Sequence, residues 1–485
     1  MNFLSFASQH YLLGTIFALI YIGILLTILM ENRNPSKSLA YILVLIFVPV
    51  LGLVIYYFFG QDLRKKKIFQ KKVFKEVDIY NEYIENYFQD SEEALRHIES
   101  ELGSLALPFR QMFNQGQSLP SIGNKVKLLN NGEEKFPALF EALETAKHHI
   151  HVDYYIFSND DIGIEFTNIL VRKAAEGVII RVIVDDRGSR KIKDIPKILK
   201  NAGIEFYRFM PVQFSSLAQA NYRNHKKIVI IDGKIGFIGG INMDDRYLNN
   251  GKYKLFWRDT HVKIQGLAVR ELQYDFFKSL SFVSKKQYKL EPVYFPELDD
   301  IQGDANISVI SSGPASPNPY NMEAIVTAIN QAKQSVKITN PYFIPSEQIL
   351  MALELAAISG VEVELIIPAK SDSYIVLHSS FSYLKPLMKR GVKVYLYKKG
   401  FVHAKTVQID DKLAFVGTVN MDIRSFYINF EIAAMIQDIK LCEQMKEQFE
   451  IDKNDSVLVD AEGWLQRPKY KKFIDSVCRL LTPLL

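Results

Sequence analysis

The segments NHKKIVIIDGKIGFIGGIN (residues 224–242) and VHAKTVQIDDKLAFVGTVN (residues 402–420) carry the same pattern at two places in the chain. Each begins with His-x-Lys, continues to an Asp, and ends with a pair of small residues and an Asn. The two histidines, at positions 225 and 403, lie 178 residues apart. A single His-x-Lys pair arises easily by chance, whereas two copies in register indicate a duplicated unit whose chemistry uses both.

Each motif is predicted to form a β-hairpin that presents its histidine and lysine on one face. In the first copy, two β-rich runs meet at the sequence DG (232–233), a favoured two-residue turn. Side chains two positions apart point to the same side of a strand, so His225 and Lys227 project together, as do His403 and Lys405. This pairing suits a phosphate group, because an ammonium holds the anionic oxygens while an imidazole attacks or transfers a proton.

Two further pairs of polar residues belong to the motifs. The hairpins return Asn242 and Asn420 towards the start of their own motifs, where their amides can donate to the same phosphate oxygens. Asp232 and Asp410 lie at the predicted turns, and two interpretations remain open for them. They either cap the turn or take part directly in catalysis with the histidines and lysines.

Each hairpin closes a longer repeat. The run LETAKHHIHVDYYIF (143–157) resembles INQAKQSVKITNPYFI (329–344), with the end of a helix followed by a strand-like stretch. The alternation of helices and strands predicts an α/β fold of two duplicated halves, each a sheet flanked by helices, at residues 121–282 and 305–485. A charged linker at 283–304 joins the halves, and the second half includes a C-terminal tail.

The duplication also predicts where the active site lies. When the halves pack face to face, the site falls between them and one histidine reaches each side of a single phosphorus. In-line displacement needs a nucleophile on one side and a proton donor for the leaving oxygen on the other.

The first 60 residues predict a transmembrane hairpin. Residues 11–30 and 39–60 contain no charged side chain, and twenty helical residues cover roughly 30 Å, the thickness of a bilayer's hydrocarbon core. A basic juxtamembrane run and a helical connector are expected at residues 61–120. The basic residues of this run are Arg64, Lys65, Lys66, Lys67, Lys71, Lys72 and Lys75. The positive-inside rule then predicts a multi-pass protein of the cell membrane with its catalytic body in the cytoplasm.

The composition argues against several classes of protein. Lys and Arg exceed Asp and Glu by only 59 to 54 in 485 residues, an excess too small to indicate nucleic-acid binding. The two cysteines, Cys442 and Cys478, are too few for a disulfide framework or a thiolate metal site. The histidines outside the motifs show no ligand pattern with paired acids, and the run HHIH (148–151) opens a predicted strand. We therefore expect no metal and no cofactor.

The spacing H-x-K-x4-D with a later small pair and Asn is similar to the signature of the phospholipase D superfamily. It is matched by His225, Lys227, Asp232 and Asn242, and again by His403, Lys405, Asp410 and Asn420. The N-terminal hairpin, TNPYFIPS (339–346), NMDIRSFYINFE (420–431) and LLTPLL (480–485) extend the resemblance to the bacterial cardiolipin synthase family over nearly the whole chain. One departure is Arg246 in NMDDRY (242–247), where an acid is expected.

The resemblance implies further roles. In the superfamily an acid further along each half orients the histidine, which corresponds to Asp259 in the first half and Glu431 in the second. An acid on one imidazole nitrogen fixes the tautomer and raises the basicity of the other nitrogen. Asp259 has an alternative interpretation as a surface ion pair with Arg258. The superfamily pattern assigns attack to the first motif, so His225 is expected as nucleophile and His403 as general acid and base.

The activity implied by the resemblance is that of a phosphatidyltransferase. It would convert two membrane phosphatidylglycerol molecules into cardiolipin and glycerol through a phosphohistidine, without nucleic acid or an obligatory protein partner. Three alternatives remain: a phospholipase D-type hydrolase or a transferase with another alcohol acceptor, a membrane-tethered nuclease of the same superfamily, and a non-enzymatic duplicated scaffold. The small charge excess argues against the nuclease, and the two intact His-Lys pairs argue against the scaffold. The sequence does not indicate an oligomeric state.

Overall fold

The structure, a computed structural model, describes residues 3–30, 35–48, 52–53, 83, 85, 87–211, 221–284, 286, 288–298 and 301–482. These residues belong to two compact units. One unit comprises the described residues of Met1–Lys71 and Gln213–Asn221, and the other comprises those of Lys72–Val212 and Tyr222–Leu485. Apart from residues 213–221 of the first half, both predicted halves therefore lie within a single compact unit.

Before the first half, all the regular secondary structure among the described residues is helical. Its helices are α1 (Phe3–Met30), α2 (Pro35–Phe47), α3 (residues 87–102) and α4 (Leu107–Asn114). In the first compact unit, α1 and α2 pack through the buried residues Ile28 and Leu45. The predicted connector at 61–120 is helical over α3 and α4, joined by a 3-10 turn at Gly103–Ala106. Its basic run at 64–75 lies outside the described residues.

The transmembrane hairpin predicted for residues 1–60 is not supported by these helices. The side chains described in α1 are those of residues 14–16 and 18–30. Helix α2 has 13 residues and covers about 20 Å, less than the core of a bilayer. Residues 49–51 and 54–60 of the second predicted span lie outside the described residues. Within the residues that are described, no helix is both long enough and apolar enough to cross a membrane.

The first half alternates strands and helices before its hairpin, as the repeat predicts. Its elements are β1 (Ser121–Asn130), α5 (Asn131–Glu144), β2 (His149–Tyr154), α6 (Asp161–Ala175), β3 (Ile179–Asp185), α7 (Ile195–Asn201), β4 (Glu205–Phe209), β5 (Lys227–Ile231), β6 (Ile235–Gly239), β7 (Phe256–Arg258), β8 (Thr260–Gln265) and α8 (Val269–Val283).

The second half repeats the alternation of strands and helices up to its hairpin. Its elements are β9 (Ala305–Ser312), α9 (Tyr320–Gln331), β10 (Ser335–Thr339), α10 (Glu347–Ile358), β11 (Glu362–Pro368), α11 (Tyr374–Lys389), β12 (Lys393–Tyr397), β13 (Gly400–Val402), β14 (Thr406–Ile409), β15 (Leu413–Gly417), α12 (Ile423–Tyr427), β16 (Glu431–Gln437), α13 (Ile439–Asn454), β17 (Ser456–Leu458), α14 (Ala461–Leu465) and α15 (Lys469–Leu480). The short strand β13 stands before the hairpin, and β17, α14 and α15 are added at the end.

The two halves share one mixed sheet. Its strand order is β17-β12-β11-β10-β14-β15-β16-β9-β1-β8-β6-β5-β2-β3-β4, so the order outward from β1 repeats the order outward from β9. The halves meet where β1 and β9 pair antiparallel. Every position of β2, β5 and β10 is buried, as expected for strands covered on both faces. The duplicated α/β architecture predicted from the sequence is confirmed.

Helix starts repeat between the halves as well. Helix α6 begins after Asp160, whose carboxylate accepts from the amide of Gly163 at 3.0 Å. The equivalent helix α10 begins after Ser346, whose hydroxyl accepts from the amide of Ile349 at 3.3 Å. These N-caps satisfy amides that have no partner inside the helix. In each half they fix the residue at which the helix begins and the chain returns across the sheet.

The segment 283–304 packs against the first half where it is described. Tyr294 is buried, with its ring 5.0 Å from that of His149 and 5.6 Å from that of His151. His151 also contacts Gln273 at 2.7 Å and Arg181 at 2.9 Å. The HHIH run is therefore part of a packed interior. Residues 283–304 remain the proposed connection between the two halves.

Asp232 and Asp410 occupy equivalent turn positions, at φ 53° and 52°. The Asp232 carboxylate accepts three amides, from Lys147, His148 and His149, each at 2.8 Å. The carboxylates tie the hairpin turns to the starts of β2 and β10. Each turn lies at the far end of its strand from the histidine, about 20 Å away by strand rise. The catalytic role expected for these two acids is therefore not supported, because their oxygens are held by backbone amides away from the histidines.

We predict that Asp410→Ala lowers the free energy of unfolding by about 2–3 kcal/mol and leaves activity per folded molecule unchanged. The substitution removes three bonds to the amides of Lys333, Gln334 and Ser335, at 2.7–2.9 Å. Denaturant unfolding of the purified chain measures the loss of stability.

The neighbouring Asp411→Ala is the matched control. Asp411 has the same φ of 52°, so the backbone cost of alanine is equal in both variants. Its carboxylate pairs with the buried Lys337 and the exposed Lys446 at 2.8 Å and 2.7 Å, and we expect a smaller loss than for Asp410→Ala, because Lys337 Nζ keeps its bond to Ser335 Oγ at 3.3 Å. An Asp410→Ala chain of normal stability that has lost activity would restore the catalytic interpretation.

Candidate active site

The two motif histidines face one cavity. His225 precedes β5, His403 precedes β14, and their side chains are largely buried, with residue exposures of 9% and 6%. The cavity has a volume of about 340 Å³ and is lined from both halves. It includes Asn242 and Asn420, as the predicted return of each hairpin requires. The sequence-predicted arrangement of one histidine from each half around a common site is present.

Each histidine is bonded to an acid from the opposite half. His225 Nδ1 lies 2.9 Å from Glu431 Oε2, and His403 Nδ1 lies 2.6 Å from Asp259 Oδ2. Both acids are fully buried. The expected pairing within each half, His225 with Asp259 and His403 with Glu431, is wrong. The alternative of a surface ion pair between Asp259 and Arg258 is also wrong, because Arg258 pairs with Asp452 at 2.9 Å.

Backbone pairing between the halves causes this exchange. Strands β7 and β13 run parallel, with Val402 opposite Arg258, so the next residues along, His403 and Asp259, meet. The amide of His403 donates to the carbonyl oxygen of Arg258 at 2.6 Å. On the other side, an isolated parallel bridge joins Asn224 to Phe430, and the amide of His225 donates to the Phe430 carbonyl at 2.9 Å. Each histidine is therefore held by strand pairing beside the acid of the other half.

The small residues of the motifs make room for these acids in two different ways. At Gly240, an added Cβ would lie 2.1 Å from Asp259 Oδ1, so only glycine admits the carboxylate. The equivalent residue in the second half is Thr418, whose hydroxyl donates to Glu431 Oε2 at 2.5 Å. The longer glutamate reaches past the threonine, whereas the shorter aspartate needs the space. The small pair of the motif thus positions the acids.

The lysines lie behind the histidines. Lys227 Nζ donates to the carbonyl oxygen of His225 at 2.5 Å, and Lys405 Nζ bonds the carbonyl of His403 in the same way. Both ammonium groups are buried, and burial lowers their pKa values to about 7 for Lys227 and about 8 for Lys405. An ammonium has three donors, so each lysine retains capacity beyond this backbone bond. An anion in the cavity would raise both pKa values and favour the charged forms.

The asparagines differ in how their amides are used. Asn242 accepts from the amide of Ile156 at 3.2 Å and donates to the hydroxyl of Tyr247 at 2.9 Å, which leaves one amide hydrogen. Asn420 Oδ1 is buried and has no hydrogen-bond partner among the described residues. Both side chains border the cavity, and Asn420 is the one more available to a ligand.

Several residues that line the cavity are not among the predicted site residues. Arginines Arg223, Arg246 and Arg424 line the cavity, together with the rings of Tyr155, Tyr247, Trp257 and Tyr342. Arg246 and Arg424 each stand four positions after the motif asparagine, so the repeat itself could have identified them. Arg246, which departs from the expected acid, is held by Asp244 at 2.8 Å and 2.9 Å and lies over the Trp257 ring.

The electrostatics of the two histidine pairs are unequal. Burial and the charges of Lys227 and Lys405 lower the pKa of both imidazoles, whereas Glu431 raises the pKa of His225 and so offsets part of the decrease there. Burial raises the pKa of Asp259 to about 6. Burial would also raise the pKa of Glu431, but His225, Lys227 and Thr418 outweigh it and hold the pKa below its usual value. An ionised carboxylate accepts a hydrogen bond from Nδ1 and so leaves Nε2 of each neutral imidazole with a lone pair.

The part of the chain that the structure describes contains no cluster of side chains suited to bind a metal ion. No group of three or more His, Cys, Asp or Glu side chains there is arranged to hold an ion. Cys442 and Cys478 are free and buried, and burial raises the pKa of the Cys442 thiol to about 12. The groups available for chemistry at the cavity are therefore the imidazoles with their acids, and the cations and amides around them.

The chain matches a family described as "Cardiolipin synthase, PLD-like domain" over residues 139–273 and 325–453, and one described as "Phospholipase_D-nuclease N-terminal" over residues 16–61. A cardiolipin synthase of Halalkalibacterium halodurans is 40% identical over 96% of this chain and 92% of its own length. A cardiolipin synthase of Alkalihalophilus pseudofirmus is 38% identical over 98% of this chain and 95% of its own length.

A solved structure, a phosphatidylserine synthase of Haemophilus influenzae, has the same fold with a TM-score of 0.60. It is 15% identical and covers 78% of this chain and 97% of its own. The duplicated fold, the paired His-Lys motifs at one cavity and these full-length relatives agree with one another. The chain belongs to the cardiolipin synthase family of the phospholipase D superfamily.

Proposed function

We propose that this chain is a phosphatidyltransferase that joins two phosphatidylglycerol molecules into cardiolipin and releases glycerol. The observation that carries the proposal is that two histidines, each bonded through Nδ1 to a buried acid, face one cavity from opposite halves. Membership of the cardiolipin synthase family supports the choice of lipid. The charge excess of five in 485 residues favours a lipid over a nucleic acid as substrate.

The reaction proceeds by two displacements at phosphorus. Binding of the anionic phosphodiester raises the pKa of the second histidine, which takes up a proton on Nε2. Nε2 of the first histidine, which is neutral, then attacks the phosphodiester, the bond from phosphorus to the glycerol oxygen breaks, and the protonated second histidine gives that oxygen its proton. A hydroxyl of the second phosphatidylglycerol then attacks the phosphohistidine and passes its proton to the second histidine. One phosphodiester replaces another, so the chemistry needs no nucleotide. The catalyst ends in the protonation state in which it began.

We assign the attack to His225 and proton transfer to His403. The pKa of Glu431 is held low, so its carboxylate is ionised beside His225 and stabilises the positive imidazolium that forms when Nε2 bonds to phosphorus. Burial raises the pKa of Asp259 to about 6, which makes it the weaker stabiliser of a lasting positive charge. The His403 pair is thus better suited to transient proton transfer than to a covalent intermediate.

The positive groups around the cavity stabilise the charge on the equatorial phosphate oxygens. Lys227 and Lys405 lie beside the histidines, and Arg424 lines the cavity wall. Buried cations act more strongly on a developing charge than solvated ones, because water does not screen them. Asn242 and Asn420 supply neutral amide donors to the same oxygens.

The chain works at the cell membrane in this proposal, because its substrates are insoluble lipids. The N-terminal family match at residues 16–61 supports membrane association. The basic run at 64–75 predicts a cytoplasmic position for the catalytic body. Protease added outside sealed spheroplasts should leave the body intact, and its digestion there would reverse this orientation.

Purified chain incubated with phosphatidylglycerol alone should produce cardiolipin and glycerol in equal amounts, resolved by lipid chromatography. Turnover should continue after exhaustive chelation, because side-chain cations supply the charge stabilisation that metal ions give other phosphoryl-transfer enzymes. Phosphatidic acid as the main product would instead establish a hydrolase. Loss of turnover with EDTA that a divalent ion restores would contradict the metal-free mechanism.

The roles of the histidines are separable with an activated lipid whose leaving group is a nitrophenol. This leaving group needs little protonation, so His403→Asn should still take up one labelled phosphatidyl group and then stall without a base. His225→Asn should take up none, because the attacking nitrogen is gone. Peptide mapping of the labelled chain identifies the site. Label on His403, or label retained only by His225→Asn, would invert the assignment.

A further inference from the structure

Helix α15, which lies two residues before the cavity residue Thr482, exposes an apolar stripe to solvent. The stripe consists of Tyr470, Phe473, Val477 and Leu480, at spacings of three and four residues that place them on one helix face. Phe473 and Leu480 are 69% and 78% exposed, and Leu481 just beyond the helix is exposed as well. Large apolar side chains in a continuous exposed stripe mark an interaction surface.

The remaining exposed side chains of α15 are basic or small. Lys469 and Lys472 border the stripe, about 20° and 80° from Leu480 around the helix axis, whereas Lys471 shares the face of the buried Asp475 and Cys478. Lys472 Nζ also donates to the carbonyl oxygen of Leu465 at 2.6 Å. The only acid in this helix, all of whose residues are described, is Asp475, and it is buried. The helix therefore presents apolar groups bordered by positive charge. This combination is typical of helices that lie in the headgroup region of an anionic bilayer.

The opposite face of α15 is fixed to the catalytic body. Asp475 is bonded to His378 of α11 at 2.7 Å and to Arg467 at 2.8 Å. The guanidinium of Arg479 lies 4.5 Å from the ring centre of Tyr383, also on α11. These contacts seat the helix firmly, so its apolar stripe is presented outward as a rigid surface.

The same elements reach the cavity of the two histidines. Thr482 lines that cavity, and so does Val376 of α11. Next to Val376, Tyr374 and Ile375 are exposed, with Tyr374 at 62%. Exposed apolar residues therefore stand beside the cavity wall at the start of α11, the helix on which α15 packs.

We infer that the α15 stripe, with Tyr374 and Ile375, docks on an anionic lipid surface and holds the cavity against the membrane. The inference rests on the proposed lipid substrate, which would enter from the surface on which the helix lies. Lys469 and Lys472 contact the anionic headgroups, while Phe473 and Leu480 insert between the acyl chains.

Charge decides between a bilayer and a second copy of the chain. Two copies meeting through this face would bring the same two lysines together, and like charges at close range repel. A bilayer of phosphatidylglycerol supplies both anionic headgroups for the lysines and a hydrocarbon interior for the apolar side chains. The occupant that matches both properties of the surface is therefore the lipid.

Photocrosslinking tests the contact directly in the full chain. Phe473 is replaced by benzoylphenylalanine, and the chain is reconstituted in vesicles of equal parts phosphatidylglycerol and phosphatidylcholine. We expect crosslinks to lipid, about tenfold more than from benzoylphenylalanine at Met351, an exposed apolar position on α10 whose charged neighbours are acids. Crosslinks to a second copy, to the N-terminal segment, or no excess over Met351 would overturn the inference.

Activity on two forms of one substrate separates docking from catalysis. The double variant Phe473→Ser/Leu480→Ser should lose about tenfold or more in rate on vesicle phosphatidylglycerol, because it loses two apolar anchors. Its kcat/KM on dispersed short-chain phosphatidylglycerol should stay within about twofold, as for other surface changes. The control Met351→Ser/Leu355→Ser should match the unaltered chain on both substrates.

The outcomes distinguish the two proposals. Equal loss on vesicles and on the dispersed lipid, or no loss on vesicles, would overturn the docking surface. If the unaltered chain forms no cardiolipin from either substrate, the proposed function fails, while crosslinking at position 473 still decides whether the helix contacts lipid.

Discussion

The exchange of acids between the two halves is the constraint on which the site depends. His403 is bonded to Asp259 across 144 residues of sequence, and His225 to Glu431 across 206. Neither contact exists within a half, so a half folded alone would lack the acid for its own histidine. The parallel pairing of β7 with β13 and the bridge at Asn224 and Phe430 create both contacts. The interface between the halves is therefore part of the catalytic machinery.

The exchange also explains why so much charge is buried beside the cavity. Two lysines and two acids lie behind the histidines, and burial alone would make each of them neutral. Their mutual attraction offsets part of that cost, but both lysines still have pKa values lowered to about 7 and 8. An anionic phosphate supplies the missing negative charge. The site is consequently poised to gain positive charge when its substrate binds.

Sequence patterns predicted what is local and repeated. The hairpins β5–β6 and β14–β15, the alternating helices and the convergence of two His-Lys motifs all follow from short-range periodicity and from duplication. The sequence did not predict which histidine Asp259 and Glu431 each bind. Strand pairing between segments more than a hundred residues apart leaves no local signal in the sequence. For Asp232 and Asp410 the sequence left turn capping and catalysis open, and the structure supports the first, because the amides they bind belong to strand starts distant in sequence. Arg246 and Arg424 occupy equivalent positions in the two repeats, so the duplication could have identified both as candidates for the site.

The exchanged pairing is tested most directly by nitrogen NMR of the chain labelled with ¹⁵N only in histidine. Ring resonances are assigned with His225→Asn and His403→Asn, and the Nδ1–H tautomer is then followed in Glu431→Gln and Asp259→Asn. We predict that Glu431→Gln alters the tautomer and pKa of His225 and leaves those of His403 nearly unchanged, while Asp259→Asn does the reverse. If Glu431→Gln acts on His403 and Asp259→Asn on His225, each half orients its own histidine and the exchange of acids between the halves is contradicted.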